Sequence, residues 1–413
     1  MISNIQISNF RSLEKVSLDL NKFTLLTGSN NSGKSSLIYS LLSLKNTMSN
    51  TNKSIDNCLT LPYINLGGFN QIIFNKNIEK NIALCFTSVG TDKIPIEYQL
   101  SIGKKSSYLS IKFNYIVEID CTLEIAFPYP LNNHQSFSFE NSETQISFNW
   151  NGFAISNISV STGGFLDNPN DSTQIEYINK ITSKLTTLFA NPFIDLASLS
   201  SIPLRRGFTK PFYSIVPLNA NITNEDEIAT LLATDRDLTG RIAYYLEKIV
   251  DRNFTVYTTP GTSNFYLQTV DRSTGFTSDL VNEGLGTNQL VTILAKVLSS
   301  NTKIICIDEP EIHLHPSIIK KLVKVLIDIA NDENKQFIIS THSEHFLSSM
   351  MSFLVEGLIR NDEINLFYLS KNRKATEFEH QKINKDGQIA GGLSHFMESE
   401  LSNLEELFKV TNK

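Results

Sequence analysis

The chain has 413 residues, with 36 Lys and Arg against 42 Asp and Glu, so its formal net charge of −6 leaves no strongly basic nucleic-acid footprint at the whole-chain level, although a local basic patch stays open. Hydrophobic residues make up 41% and charged residues 19%, an ordinary globular balance that at this length gives a large core divided into two subregions. No apolar run approaches the roughly eighteen residues of a membrane span, Met1 to Ile7 lacks a secretory pattern, and Cys58, Cys85, Cys121 and Cys306 are scattered without a CxxC pair, which argues against a disulfide framework or zinc site and fits a reducing cytoplasm.

Ile2 to about Lys45 reads strand, strand, loop, helix. Phe23-Thr24-Leu25-Leu26-Thr27 is a short buried strand, and Ser35 to Leu42 opens a helix. Between them, Gly28-Ser29-Asn30-Asn31-Ser32-Gly33-Lys34-Ser35 fits G-x-x-x-x-G-K-[ST], the phosphate loop, in the strand–loop–helix context that confirms it. Gly28 and Gly33 let the main chain turn its N–H groups toward an anion, and the helix start adds its dipole. Lys34 is expected to reach the β- and γ-phosphates of a nucleotide and the Ser35 hydroxyl to ligate Mg²⁺.

Asn46 to Thr60 is rich in Asn, Ser and Thr and reads as a mobile connection. Short alternating runs then predict antiparallel strands at Ile82–Phe86, Ile96–Leu100, Leu109–Phe113, Ile116–Phe127, Ser136–Phe139 and Ile146–Trp150. Helical spacing follows. Thr173 to Phe189 carries Ile175, Ile178, Ile181, Leu185 and Leu188, and Glu225 to Val250 carries an apolar stripe with Asn224 as N-cap and a break near Gly240. Short strands near Phe254–Tyr257 and Phe265–Val270 lead to an α/β pattern. It comprises helix Gln289–Leu298, strand Ile304–Ile307, helix Pro316–Ala330, strand Phe337–Ser340, helix Glu344–Ile359, and strands near Leu366–Leu369 and Glu377–Ile383. No internal repeat, low-complexity tract or long heptad region is read.

Three further stretches carry chemistry. Ile304 to Glu309 is an apolar strand ending in two carboxylates, where open α/β sheets place ligands. Asp308 suits a Mg²⁺ ligand, and Glu309 suits a base that orients or deprotonates an attacking water; a strand merely ending in solvated acids is the bland alternative. Phe337 to Ser343 is a second buried strand with a polar end, where His342 faces either a γ-phosphate and catalytic water or a structural role. Asn282 to Gln289 sets glycines ahead of a helix, a second anion-accepting helix start that is weak taken alone.

With these residues in view, the chain resembles the ABC-type ATPases of the SMC, RecF and OLD (overcoming lysogenisation defect) group, and within it the compact OLD-like bacterial ATPases. Ile5 to Leu13 looks like the group's first strand and "nFrs" turn, and Thr27 to Ser35 like "tGxNnsGKS". Leu66-Gly67-Gly68-Phe69-Asn70-Gln71-Ile72 looks like the Q-loop region, and Ile202-Pro203-Leu204-Arg205 like "GPlR", with Ile202 where glycine usually sits. Asp308 to Pro316 is similar to the Walker B and D-loop "E-P-E-x-H-L-H-P", and Ser340 to Ser343 to the H-loop. The motifs run from residue 2 to about 345. The tail from Asn384 through Met397 is similar to a small domain of unknown role found after some of these ATPases.

The resemblance implies an α/β P-loop NTPase of ABC-ATPase type with a mixed-sheet core and a β-rich and helical middle insertion. The expected parts are residues 1–65, the N-terminal half with the P-loop; 66–275, the insertion, part of whose β-layer packs on the core; 276–370, the C-terminal half; and 371–413, a small tail domain. It implies ATP and Mg²⁺ as cofactors. Lys34, Glu309 and His342 are the catalytic set, and Ser35, Asp308 and Gln71 the metal ligands. Arg11, Asn30, Asn31, Ser32, Gly33, Lys34, Ser35, Ser36, Gln71, Gly284, Gly286, Thr287 and Asn288 contact the nucleotide. Two subunits would sandwich two ATP molecules, each held by one P-loop and the partner's signature helix.

Departures qualify this. Thr287 and Asn288 stand where a serine is usual, and the Gly-Gly pair is Gly284-x-Gly286, which leaves open the hydroxyl that meets the γ-phosphate. No room for a toprim nuclease domain follows Leu369, so the chain is not expected to be a nuclease by itself. His313 and His315 fit a dimer-interface loop better than zinc, and Arg205-Arg206 suits either phosphate or a salt bridge. The leading expectation is the ATPase subunit of an anti-phage defence system gating a separate effector such as a nuclease. A RecF-like repair ATPase that binds DNA and an ATP-stabilised scaffold with negligible turnover are the alternatives.

Overall fold

The computed structural model describes residues 1–49, 54–90, 93–115, 119–127, 135–140, 144–162, 172–219, 221–384 and 386–389. The described residues form two units: Met1–Leu20, Ser35–Leu199 and Asn372–Thr376 in the first, and Asn21–Lys34, Ser200–Lys371 and the residues from Glu377 onward in the second. The expected tail domain lies for the most part outside the described residues.

The first unit is built on a six-stranded sheet in the order Leu13–Asp19, Ile2–Phe10, Ile82–Val89, Pro95–Ile102, Ser107–Tyr115, Ile119–Phe127, antiparallel at every step. Period-two alternation explains it: in Pro95–Ile102, Ile96, Tyr98, Leu100 and Ile102 are buried and the residues between them face outward. Ile2–Phe10 pairs directly with Ile82–Val89. The strand expected from Ile116 starts at Ile119, and residues 116–118 lie outside the described set. A three-stranded antiparallel sheet, Gln135–Glu140, Thr144–Trp150 and Ile155–Thr162, lies in the same unit.

The helix Ser172–Ala197 outruns its predicted end and contains Pro192. It buries Ile181, Leu185, Leu188 and Phe189, whereas Ile175 is 47% exposed. Phe189 meets Phe113, Phe148 and Trp150 edge-on at 5.3, 5.3 and 6.4 Å, joining the two sheets through one aromatic cluster.

Much of the described polar stretch read as a mobile connection is helical. The first helix continues to Ser49 and a short helix covers Ile55–Cys58. Asn46 Nδ2 donates to Cys58 O and Thr60 O at 2.7 and 2.9 Å, so an asparagine read as loop-forming acts as a tie.

The second unit centres on a six-stranded sheet in the order Leu199–Ile202, Ile304–Asp308, Gln336–Ser340, Phe23–Gly28, Ile364–Asn372, Ala375–Gln381. The four inner strands are mutually parallel. Three of them, Phe23–Gly28, Ile304–Asp308 and Gln336–Ser340, are buried almost throughout, as strands covered on both faces require, whereas Ile364–Asn372 is buried at alternate positions and exposed at its end. The strand earliest in sequence thus sits in the middle, between strands some three hundred residues later. Parallel alignment brings Gly28, Asp308, Ser340 and Leu369 to the same edge, the end where such sheets bind ligands.

Helices Glu225–Thr234, Arg236–Val250, Leu285–Leu298, Pro316–Glu333 and Glu344–Val355 supply the core residues around this sheet. Asn224 forms the predicted N-cap, within a capping box with Glu227. The expected break near Gly240 falls instead at Asp235, which ends one helix and caps the next through Leu238 N. Among the described residues no helix is long and apolar enough to cross a membrane.

Candidate functional site

The loop after Phe23–Gly28 is shaped by its neighbours. Gly28 has φ +137° and Gly33 φ +106°, and Asn31 adopts φ +64°. Gly28 is the register partner of Leu369, and a Cβ on it would lie 2.0 Å from the Leu369 carbonyl oxygen, so only glycine fits. The helix begins at Lys34, whose buried ammonium donates to Gly28 O and Ser29 O at 2.9 and 3.0 Å. Burial lowers the Lys34 pKa, and the charges of Glu309, Asp308 and Glu311 oppose that shift. Asn30 and Asn31 are exposed on the loop and Ser32 is buried.

The Asp308 end of its strand is tied to the neighbouring strand's end. The Ser340 hydroxyl donates to Asp308 Oδ1, Glu309 N donates to Ser340 O at 2.9 Å, and Thr341 N donates to Leu26 O at 3.0 Å. Glu309 takes the left-handed conformation, φ +47°, and its Oε1 lies 3.3 Å from His342 Nε2. Burial, with Glu311 and Asp308 nearby, pushes the Glu309 carboxyl above its ordinary range. Burial and the Lys34 charge push His342 down, which keeps the imidazole neutral near pH 7. A neutral imidazole N–H facing a basic carboxylate is an arrangement able to order and deprotonate water.

Two residues that the sequence reading did not place in the site complete it. Glu311 Oε1 accepts from Thr341 Oγ1 at 2.6 Å and from His342 N at 3.1 Å. Arg206 donates to main-chain carbonyls, those of Asp308 and Glu309 among them. The "E-P-E" spacing and the Arg205-Arg206 pair were the available signals; neither says which atoms they meet.

The helix after Gly284 starts at Leu285, four residues before the expected Gln289. Gly284 is exposed with open space about its Cα, and Thr287 is half-buried. Gly286 is packed: a Cβ there would lie 2.7 Å from His313 O. Asn288, expected at the nucleotide, has partners within the unit. It is buried, accepts from Phe208 N at 2.7 Å and donates to Phe208 O and Leu280 O at 2.9 and 3.2 Å, so both amide hydrogens are engaged within the unit. His313 Nδ1 lies 3.1 Å from Gln289 Nε2, and His315 caps the helix Pro316–Glu333 through Ser317 N. Among the described residues, no cluster of three or more His, Cys, Asp or Glu could hold a metal ion.

Residues 1–347 match the family model described as "AAA ATPase domain". The chain belongs to this ATPase family. A relative named "ATP/GTP phosphatase", from Helicobacter pylori (strain ATCC 700392 / 26695), is 22% identical over 372 residues, covering 84% of this chain and 86% of the relative. Among solved structures, the "SMC head domain from Thermotoga maritima" is 9% identical with a TM-score of 0.46, covering 92% of this chain and 99% of that one. A Smc head domain with an extended coiled coil, bound to the C-terminal domain of ScpA derived from Pyrococcus furiosus, is 10% identical with a TM-score of 0.42 over 98% of this chain and 99% of that one. Likeness at these scores carries no inference about activity.

The remaining site residues of this AAA ATPase domain protein fall in the first unit. Ser35 is half-buried and Ser36 buried on the helix Lys34–Ser49. Arg11, at φ +56°, holds its guanidinium 5.1 Å from the centre of the Tyr39 ring, and its main-chain N–H donates to Ile72 O at 2.6 Å. Gln71 is exposed on the short helix Phe69–Ile72. The unit therefore brings the Arg11 turn, Tyr39 and the Gln71 segment together.

Proposed function

We propose that the chain binds ATP on the loop Gly28–Lys34 and hydrolyses its terminal phosphate with Glu309 as general base. Water attacks the γ-phosphorus, the bond to the β–γ bridging oxygen breaks, and Glu309 accepts the water proton, leaving ADP and phosphate. The observation that carries this reading is the 3.3 Å approach of Glu309 Oε1 to His342 Nε2, in the unit that also holds the phosphate loop. Lys34 would meet the β- and γ-phosphates, and His342 would orient the water. The name of the Helicobacter relative supports nucleotide hydrolysis.

Asp308 fits a Mg²⁺ ligand: it is half-buried at a strand end, with Oδ1 oriented by the Ser340 hydroxyl. Ser35, next in sequence to Lys34, carries the hydroxyl that the resemblance assigns to the same ion. When bound, Mg²⁺ supplies charge neutralisation at the phosphate oxygens.

The reading extends to a nucleotide-gated homodimer. The helix Leu285–Leu298 supports it, because its Gly284 start is exposed and carries no side-chain cap, and Leu285 is 61% exposed. ATP bound there by a second copy would favour the closed pair. The biological setting proposed is a defence ATPase that controls a separately encoded effector such as a nuclease, and its support is the resemblance of Asp308 to Pro316 alone. Co-purification with the adjacent gene product tests it, and a repair protein in that place overturns it.

The chemistry is tested by phosphate release from wild type and Glu309→Gln. Wild type turns over and the variant retains ATP with turnover reduced at least about a hundredfold. Equal rates refute the assignment.

A further inference from the structure

Glu309 leaves its strand in a conformation that non-glycine residues avoid, so something must hold it there. Its N–H is held by Ser340 O. Its carbonyl and the one before it are both taken by a single side chain. Arg206 Nη1 donates to Asp308 O at 2.8 Å and to Pro203 O at 3.1 Å, while Nη2 donates to Glu309 O at 2.7 Å. A planar guanidinium presents two terminal nitrogens at fixed spacing and can grip consecutive carbonyls; a lysine ammonium is one point.

The neighbouring turn is held in a matching way. Glu311 accepts from the Thr341 hydroxyl and from the N–H of His342, the residue whose ring faces Glu309. The two holding groups support each other electrostatically. Burial pulls Arg206 down to about 10, and Glu311 is the leading charge that opposes it. Burial also raises Glu311, against its hydrogen bonds from Thr341 and His342 and the charge of Arg206.

The geometry points to Arg206 and Glu311 as a pair of positioning residues for hydrolysis: Arg206 fixes the main chain from which Glu309 projects, and Glu311 fixes the turn from which His342 projects. The proposal concerns Arg206 and not Arg205, and it rests on the reading of Glu309 as the base.

The test is kinetic, on the full chain. Phosphate release is followed in steady state and single turnover, and nucleotide binding with a fluorescent ATP analogue, for Arg206→Lys, Glu311→Ala, Glu311→Gln, Glu309→Gln and the double variant Arg206→Lys/Glu309→Gln. Arg206→Lys lowers kcat at least about tenfold while KM and nucleotide affinity move less than about threefold. Glu311→Ala does the same, and Glu311→Gln, which keeps an acceptor oxygen, recovers most of the rate. In the Glu309→Gln background, Arg206→Lys removes less than about a further twofold, because nothing remains to position.

An unchanged kcat in Arg206→Lys, or a second full loss in the double variant, overturns the proposal. So does a Glu311→Gln as slow as Glu311→Ala. If Arg206→Lys does not fold, the Glu311 pair decides. If Glu309→Gln alone retains the wild-type rate, the base assignment fails instead, a result independent of Arg206.

Discussion

Replacing Gly28 by alanine puts a methyl group where the adjacent strand already has a carbonyl. The Cβ would lie 2.0 Å from Leu369 O and 2.9 Å from its carbonyl carbon, both main-chain atoms that no rotamer change can move. Ordinary contact begins at 3.4 Å, so the two strands must part by more than about 1 Å at this register. Alanine must also leave φ +137°. Backbone strain of about 1–3 kcal/mol and about one lost ladder bond at ~1 kcal/mol give a destabilisation of roughly 2–4 kcal/mol. For a unit of this size, at about 2–4 °C per kcal/mol, that corresponds to a fall in Tm of roughly 4–16 °C.

The loop itself moves with the strand end. Lys34 donates to Gly28 O, so its ammonium shifts as well, and affinity for ATP should fall at least about tenfold, or ~1.4 kcal/mol. Differential scanning fluorimetry reads the first effect and titration with a fluorescent ATP analogue the second. A variant that melts within a degree or so of wild type and binds within about twofold refutes the steric argument and the placement of Gly28 beside Leu369.

The two glycines of the second loop should differ. Gly284→Ala meets open space and leaves the melting temperature unchanged, whereas Gly286→Ala drives a methyl group toward His313 O and Leu314 Cδ2, at 2.7 and 3.0 Å, and lowers both stability and turnover; equal behaviour of the two contradicts the packing described. For pH, Glu309 must be ionised to act, and its pKa lies above the ordinary 4.5, so the acid limb of kcat/KM should be centred above that value and vanish in Glu309→Gln. A raised carboxyl pKa in the folded state means stability present at low pH that is lost as pH rises through that pKa. At neutral pH, therefore, nucleotide-free Glu309→Gln should melt above wild type. A variant that melts lower shows that the carboxylate is stabilising as a charge.

The contrast between local and distant information runs through the molecule. Gly28 to Ser35, Asp308-Glu309 and Ser340 to His342 were legible because each is a contiguous strand end followed by the residues its chemistry needs. The Asn224 cap was legible for the same reason, since its partner Glu227 is three residues away. Local reading failed where a polar residue had a distant partner or a break signal had a stronger competitor. Asn46 finds Cys58 O and Thr60 O, and Asp235 interrupts the helical run in place of Gly240.

What the chain's own order determined is therefore the set of strand-end motifs and their residue types. Tertiary structure alone decided that Phe23–Gly28 lies between Gln336–Ser340 and Ile364–Asn372, so that their ends share one edge. It also set Arg206 on the carbonyls of Asp308 and Glu309, and closed Asn288 into the main chain of Phe208 and Leu280. The physical reason is one of range. Turn, cap and helix preferences act over a few neighbouring residues, whereas strand pairing and buried hydrogen bonds join groups separated by tens to hundreds of residues, and no local pattern names the partner.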